Sequence, residues 1–473
     1  MKSITFFLLL ISFSALYSQS ITLRDTTNQY DYIIITVPEF VNACEPFRQH
    51  KETVRDFRTL IVDTTQIFAE FDSSAAPQDN FRDFISFAGT FWEEPKPKYY
   101  LLVGNLNKLP NFEDILQFGS IIDTAYTDYY YSLNKYSSDT TISIFSIGRV
   151  PAIDIDELSN YFGKVISYEL DTLFMPWMNR NLFVYHDYDS SYISLFRETT
   201  FHIIENYPEY FSNHIYYTDS DTSAYYGNKD SIINFINVKG TNSLWLIGNT
   251  KNTQFGYENI LDTGDVQLFN NNPANFITFF YLRQFFNSDN FAQGFADKLL
   301  LDNEASVAVC APVGLVFAGQ YGSILINLSN YLFGSDRNCI GESINYIRNL
   351  YSPPGYTIRV CNLWGDPSLF PKYETTAGSE FIYQVPQNFV LHQNYPNPFN
   401  PTTTIKFALP IESKVKINVY NSLGQLVETI MDKEMESGYH EVNFNASRLA
   451  SGVYLYQLQA QDYVSVKKMI LMK

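Results

Sequence analysis

The chain repeatedly sets short, unbroken apolar runs between longer amphipathic stretches, and this restricts its fold more than any other feature. Tyr30–Val37, Thr59–Val62, Tyr99–Val103 and Ile142–Ile147 are such runs, two of them closing on Gly104-Asn105 and Gly148-Arg149. A strand that is apolar at every position is buried on both faces, which is the signature of a parallel sheet covered by helices on either side. The intervening stretches have the matching period. Phe81, Phe84, Ile85, Ala88 and Trp92 recur at helical spacing behind Pro77. Asp154 can cap a helix with Glu157 three residues on, and Leu158, Phe162, Val165 and Ile166 form its buried stripe.

The pattern then restarts. Asn181–Tyr185, His214–Tyr217, Ser243–Ile247, Phe276–Tyr281 and Ser306–Cys310 read as strands. Helices fit at Ser191–Glu205, Lys229–Asn237, Asn290–Leu300 and Ser323–Phe333. This predicts two tandem Rossmann-like parallel-sheet units, residues 21–171 and 172–371, with one continuous sheet as the alternative. Periodicity fades over 372–388, a linker, and short alternating strands follow over 389–473. They are Lys406–Ala408, Val415–Tyr420, Val427–Met431, Gly438–Phe444, Gly452–Gln459 and Tyr463–Met472, with a turn at Asn421–Gly424. Six or seven strands separated by turn residues describe a small Ig-like all-β sandwich.

The N-terminus reads as an export leader. Lys2, the apolar run Ile4–Phe13 and the small or polar exit Ser14–Ser20 make residues 1–20 a signal peptide, too short to span a membrane. No second long apolar run follows, so the mature chain is expected to lack a transmembrane segment. With 32 Lys and Arg against 50 Asp and Glu, the formal charge of −18 argues against nucleic acid as a partner. The four cysteines, Cys44, Cys310, Cys339 and Cys361, are too widely spaced for a disulfide scaffold or a zinc knuckle. One or two bridges or buried free thiols both fit. Gly104-Asn105 has no phosphate-binding pattern after it, so no nucleotide cofactor is indicated.

The tail carries Asn394-Tyr395-Pro396-Asn397-Pro398-Phe399-Asn400-Pro401, then Thr404–Phe407, Val419–Gln425, Ser451–Tyr456 and Lys467-Lys468-Met469. In this order the motifs resemble the C-terminal sorting domain of the type IX secretion system of Bacteroidetes-like bacteria. The resemblance implies that residues 389–473 are read by the secretion translocon and sorting machinery, delivering the body to the cell surface or beyond. In the body, Pro97–Asn105, Asp128-Tyr129-Tyr130, Ile147–Ala152, Lys164–Glu169 and Asn362–Leu369 together resemble the gingipain family of cysteine peptidases, with the weaker Asp31–Thr36 before them. That family has a caspase-like fold, so the resemblance implies caspase-like units.

Such a peptidase needs a thiolate, an imidazole within reach and backbone donors for the oxyanion. In the family the histidine stands in a Gly-His-Gly turn after one strand and the cysteine after the next. Here the turn reads Gly248-Asn249-Thr250, and Asn249 cannot take a proton at neutral pH. The cysteine position falls at Phe280 or Tyr281. The resemblance therefore implies a homologue without the family dyad, binding an extracellular protein or peptide or serving as a scaffold.

Two other readings stay open. One is an active endopeptidase with a displaced dyad, Cys310 with His186 or His214; the other is a structural surface protein. His202 reads as a helix-surface residue, His50 lies in the first unit, and His392 and His440 fall outside the body. Asp219, Asp221 and Asp230 could supply oxygens to Ca2+, or form a solvated acidic loop. Asp366, between Gly365 and Pro367, reads as a turn residue, and Asp128, Tyr129 and Tyr130 as a loop rim.

Overall fold

A computed structural model of the chain describes residues 21–473, except 73–75, 119–120, 172–173, 187–192, 219–225, 249, 252, 257–258, 271–274, 283–293, 335–336, 375–388, 392–393, 395–396, 398, 412, 436–437 and 462. The expected leader at 1–20 lies outside the described residues. The chain divides into two compact units, one ending at Thr375 and the other beginning at Thr376. No helix among the described residues is long and apolar enough to cross a membrane.

The larger unit is built on one ten-stranded sheet. Its strands are β1 (Tyr32–Thr36), β2 (Thr59–Asp63), β3 (Tyr99–Val103), β6 (Ser146–Val150), β7 (Arg180–His186), β8 (Ser212–Tyr217), β9 (Ser243–Gly248), β13 (Phe276–Leu282), β14 (Ser306–Pro312) and β15 (Cys361–Gly365). Their order is β2-β1-β3-β6-β15-β14-β13-β9-β7-β8. The two repeats of the strand–helix pattern thus share a sheet. Strands β2, β1, β3 and β6 pair in parallel, as do β14, β13, β9, β7 and β8. Between these blocks β15 runs antiparallel to β14 and meets β6 at Trp364 and Arg149. Two further small sheets are the hairpin β4 (Phe112–Phe118) and β5 (Ile121–Thr127), and β10 (Thr250–Lys251), β11 (Gln254–Phe255) and β12 (Leu261–Asp262).

Helices cover the sheet: α1 (Val41–Arg55), α2 (Thr64–Phe71), α3 (Pro77–Phe91), α4 (Ile155–Leu170), α5 (Ile193–Asn206), α6 (Lys229–Lys239), α7 (Phe295–Leu301), α8 (Ala318–Leu332), α9 (Ile340–Leu350) and the single turn α10 (Tyr356–Arg359). Asp154 caps α4 through the Glu157 amide, as its spacing predicts. The apolar stripe of α3 is buried as its period predicts, and Trp92 beyond it donates its indole N–H to Leu23 O at 2.9 Å. One expectation needs correction. The fourth strand is Ser146–Val150 rather than Ile142–Ile147, and Ile144 is exposed. Burial is carried instead by Ile147 and Val150, which flank Gly148-Arg149.

Alternation along β7, β9 and β13 sorts side chains between two helical layers. Phe183, Trp245 and Phe279 stack across the three strands with centroids 5.6 and 4.3 Å apart, on the face that Tyr207 and Phe333 close. Residues of opposite parity, such as Phe280, face the other way and meet Phe295 of α7.

The smaller unit is a seven-stranded sandwich of β16-β17-β20 and β19-β18-β21-β22. These strands are β16 (Val390–Leu391), β17 (Thr402–Leu409), β18 (Ser413–Asn421), β19 (Leu426–Met435), β20 (Gly438–Asn445), β21 (Gly452–Ala460) and β22 (Tyr463–Leu471). Its core includes Ile405, Phe407, Val415, Ile417, Val419, Tyr456, Leu458 and Met469. The Asn-Pro segment before β17 is tied down by its own side chains. Buried Asn394 donates Nδ2 to Thr403 Oγ1 at 3.0 Å and its amide to the Tyr456 hydroxyl at 2.7 Å. Asn397 Oδ1 accepts from the Ile470 amide at 2.8 Å. In the Asn421–Gly424 turn, Asn421 Oδ1 accepts from the Leu423 and Gln425 amides while Gly424 takes φ +77°.

Candidate functional site

The strand ends at which the resemblance leads one to expect the dyad, those of β9 and β13, are adjacent in the sheet. Register places Tyr281 beside Ile247 and Leu282 beside Gly248, one residue before the turn where an imidazole would be needed. Asn249 itself lies outside the described residues. Gly248 is required by its surroundings: φ is +146°, and a Cβ there would stand 1.7 Å from His186 O.

Phe280 and Tyr281 are both fully buried. Tyr281 donates its hydroxyl to Ala318 O at 3.0 Å and Thr199 Oγ1 at 3.1 Å, edge-on to Phe196. Burial pushes its phenol up to about 12. These two side chains are committed to the helices on opposite faces of the sheet, and neither is a nucleophile.

Nor does the structure bring the displaced pair together. Cys310 on β14 and His186 at the end of β7 are separated by β13 and β9, three inter-strand steps or roughly 14 Å. They also face opposite ways. Cys310 is paired with Phe279, on the Phe183–Trp245–Phe279 face, whereas His186 is three residues from Phe183 and so lies on the other. His186 is buried, with Nδ1 2.7 Å from Thr218 Oγ1 and its ring against Phe255.

His214 is one strand further away and stacks on Phe235 of α6. Burial, and then the Arg180 charge, lower its imidazole below the ordinary value. Burial also pushes the Cys310 thiol well above its own. A thiol so placed is a poor source of thiolate. All four cysteines are free thiols.

The remaining candidates are placed as follows. His202 is exposed on α5, 3.7 Å from Glu205. Asp219, Asp221 and His392 lie outside the described residues; His440 is on β20 against Phe407. Asp230 occupies the first turn of α6, and the other two carboxylates of the expected calcium set, Asp219 and Asp221, lie outside the described residues. Among the described residues no group of three His, Cys, Asp or Glu side chains could hold a metal.

Two buried charge networks were not evident from sequence. Asp366 is more than a turn residue. Its Oδ2 lies 2.6 Å from Lys51 Nζ, and its Oδ1 accepts from the Tyr32 hydroxyl at 2.7 Å. Lys51 also reaches Glu169 Oε2 at 2.7 Å, where His50 Nε2 stands at 2.8 Å and Arg55 contacts Oε1 at 3.3 Å. Burial raises the Glu169 carboxyl, but His50, Lys51 and Arg55 outweigh it and hold the group at about 2.

The second network replaces the expected loop rim at Asp128. Its carboxylate takes a bidentate pair from buried Arg149 at 2.8 and 2.7 Å. Arg359 grips Asp114 of the hairpin the same way at 2.6 and 2.9 Å. The i,i+3 and i,i+4 rules that reveal helix pairs say nothing about partners this distant in sequence.

A ten-stranded, largely parallel sheet with helices on both faces defines the gingipain-type class of α/β fold. Comparison with solved structures agrees. The Porphyromonas gingivalis RgpB pro- and mature-domain complex superposes with a TM-score of 0.56 at 14% identity, covering 93% of this chain and 100% of the other. The Arg-specific cysteine proteinase gingipain R (RGPB) gives 0.58 at 14% identity, covering 93% and 98%. These likenesses concern the fold.

The family follows from the sequence model of Peptidase family C25, which matches residues 25–372: the chain belongs to that family. Residues 393–472 match the secretion system C-terminal sorting domain, which directs the chain to the cell surface or extracellular space. No curated protein matches the chain.

Proposed function

We propose that this secreted family member does not cleave peptides at the family's dyad positions and acts instead by binding or scaffolding an extracellular protein or peptide. The observation that carries this reading is the full burial of Phe280 and Tyr281 where the nucleophile is expected. Asn249, at the expected imidazole position, adds the loss of a general base. The sorting module supplies the translocon as a partner during export. A displaced dyad is disfavoured, because Cys310 and His186 occupy opposite faces three strands apart.

The test is hydrolysis of a peptide library by the full chain under reducing conditions with calcium, beside Cys310→Ala and a thiol-directed peptidase inhibitor. The expected result is no cleavage and no inhibitor adduct. Thiol-dependent hydrolysis that disappears in Cys310→Ala would establish the displaced-dyad peptidase instead.

A further inference from the structure

The hairpin β4–β5 presents an unguarded sheet edge. Its strands pair over seven residues each without a register shift, and neither has a second partner strand among the described residues. An edge of that length offers a row of backbone donors and acceptors to any extended chain, and proteins usually blunt it with lysine, proline, a bulge or a covering segment. Other edges of this chain are blunted in these ways. Strand β19 carries Lys433 and shifts register twice against β18, Phe399 bridges to Leu471 of β22, and Tyr226 bridges to Tyr217 of β8. Phe112–Phe118 and Ile121–Thr127 contain neither lysine nor proline.

The two faces of the hairpin differ in what they do. Residues directly opposite one another share a face, and parity alternates along each strand. Asp114 and Asp123 fall on one face and are bound to the body. Arg359 holds Asp114 bidentately, while Asp123 Oδ2 accepts from the Tyr356 hydroxyl at 2.5 Å and the Leu315 amide at 2.6 Å. These carboxylates fix the hairpin and are turned away from an incoming strand.

The other face carries Ile115, 60% exposed, and Ile122, 68% exposed. Ile115 stands opposite Thr124 and Gln117 opposite Ile122, so the two isoleucines are diagonal neighbours within reach of one covering side chain. A surface already held rigid loses little freedom on being covered. The charge of its occupant also follows. Glu113 is exposed on this face, and the formal charge of −18 repels a second copy and any acidic partner.

We propose that the β4–β5 hairpin takes up an extended, basic and apolar peptide segment of an extracellular partner as a third strand. Its apolar side chains cover Ile115 and Ile122, and a Lys or Arg stands beside Glu113. Leu315 follows closely on β14, which places the anchored hairpin at the carboxyl end of the parallel strands, where α/β sheets receive ligands. The site gives the binding role proposed above a surface and rests on that reading.

The probe is the fluorescently tagged peptide Lys-Thr-Val-Thr-Val-Thr-Lys, which as a strand puts both valines and both lysines on one face. Its binding to the full chain is read by fluorescence anisotropy. Saturable binding is expected, with a dissociation constant below about 1 mM. Exchanging both lysines for glutamate should weaken it roughly tenfold or more. Methylating alternate backbone nitrogens should abolish it, because strand addition needs those donors. Ile115→Ser with Ile122→Ser, both surface changes, should weaken it roughly 30-fold. No saturable binding of the probe overturns the proposal. So does concentration-dependent self-association of the chain that the serine variant loses, since the occupant is then a second copy. Binding that survives both N-methylation and the serine changes overturns the hairpin site and leaves the non-peptidase reading standing. Cleavage of a probe that still needs the hairpin supports the site and sinks that reading instead.

Discussion

Removing the ammonium of Lys51 is the most demanding test of how the larger unit is held together. Lys51 Nζ touches two carboxylates, Glu169 at 2.7 Å and Asp366 at 2.6 Å, and the side chains of Lys51 and Asp366 are wholly buried. Lys51→Met keeps most of the stem and deletes the charge. Glu169 would retain His50 and Arg55, whereas Asp366 would retain only neutral donors, the Tyr32 hydroxyl and the Ser368 amide and hydroxyl.

Leaving one buried charge without its partner costs about 3–5 kcal/mol, so Lys51→Met should lose stability by that order near neutral pH. All four tryptophans, Trp92, Trp177, Trp245 and Trp364, lie in this unit, so their fluorescence in guanidinium reports its unfolding and not that of the sandwich. Lys51→Met combined with Asp366→Asn should recover at least about 1 kcal/mol relative to the sum of the single changes, because Asn carries no charge to strand.

The pH dependence has a definite sign. A carboxyl held at about 2, below its ordinary 4.5, contributes stability that is present above 4.5 and is lost as pH falls through 2. The gap between the wild type and Lys51→Met should therefore narrow across that window. A loss below about 1 kcal/mol, or additive single changes, would refute the claim that the pairing is essential.

Two other substitutions report on different parts of the same unit. Lys164 is buried, its Nζ bonded to Leu300 O at 2.5 Å and to Asp302 O at the end of α7, and burial lowers it to about 7. Between pH 7 and 10.5 the unfolded chain holds the extra proton, so stability should rise with pH by up to about 4 kcal/mol relative to Lys164→Met; a flat difference in unfolding free energy would refute the assignment. Gly248→Ala forces a Cβ into His186 O at φ +146° and should cost at least about 2 kcal/mol, read as a lower denaturant midpoint; an unchanged midpoint would show that the turn relaxes freely.

Continuous apolar runs such as Tyr99–Val103 made the sheet legible, because burial on both faces leaves a pattern in the residues themselves. The same is true of Asp154 and of the Asn394–Pro401 segment, where the side chains that form the motif also make the local bonds. What sequence does not carry is the pairing of distant charges. Lys51 reads as an ordinary helix-surface lysine until β15 brings Asp366 beneath it, 315 residues away in sequence.

The candidate site shows the same division. The sequence reads Cys310 and His186 as both closing strands, which holds for His186 but not for Cys310, since β14 runs on to Pro312. That β13 and β9 separate them is not visible in the sequence, because strand order is a property of the folded sheet. Parity then decides what distance alone would leave open. Moving Cys310 one position along β14 would turn its side chain to the face occupied by His186, yet the three-strand separation would remain. On the expected alignment, restoring the family dyad would put a nucleophile at Phe280 or Tyr281 of β13, which are already packed against helices on either side. Such a change would have to rebuild the core as well as the chemistry.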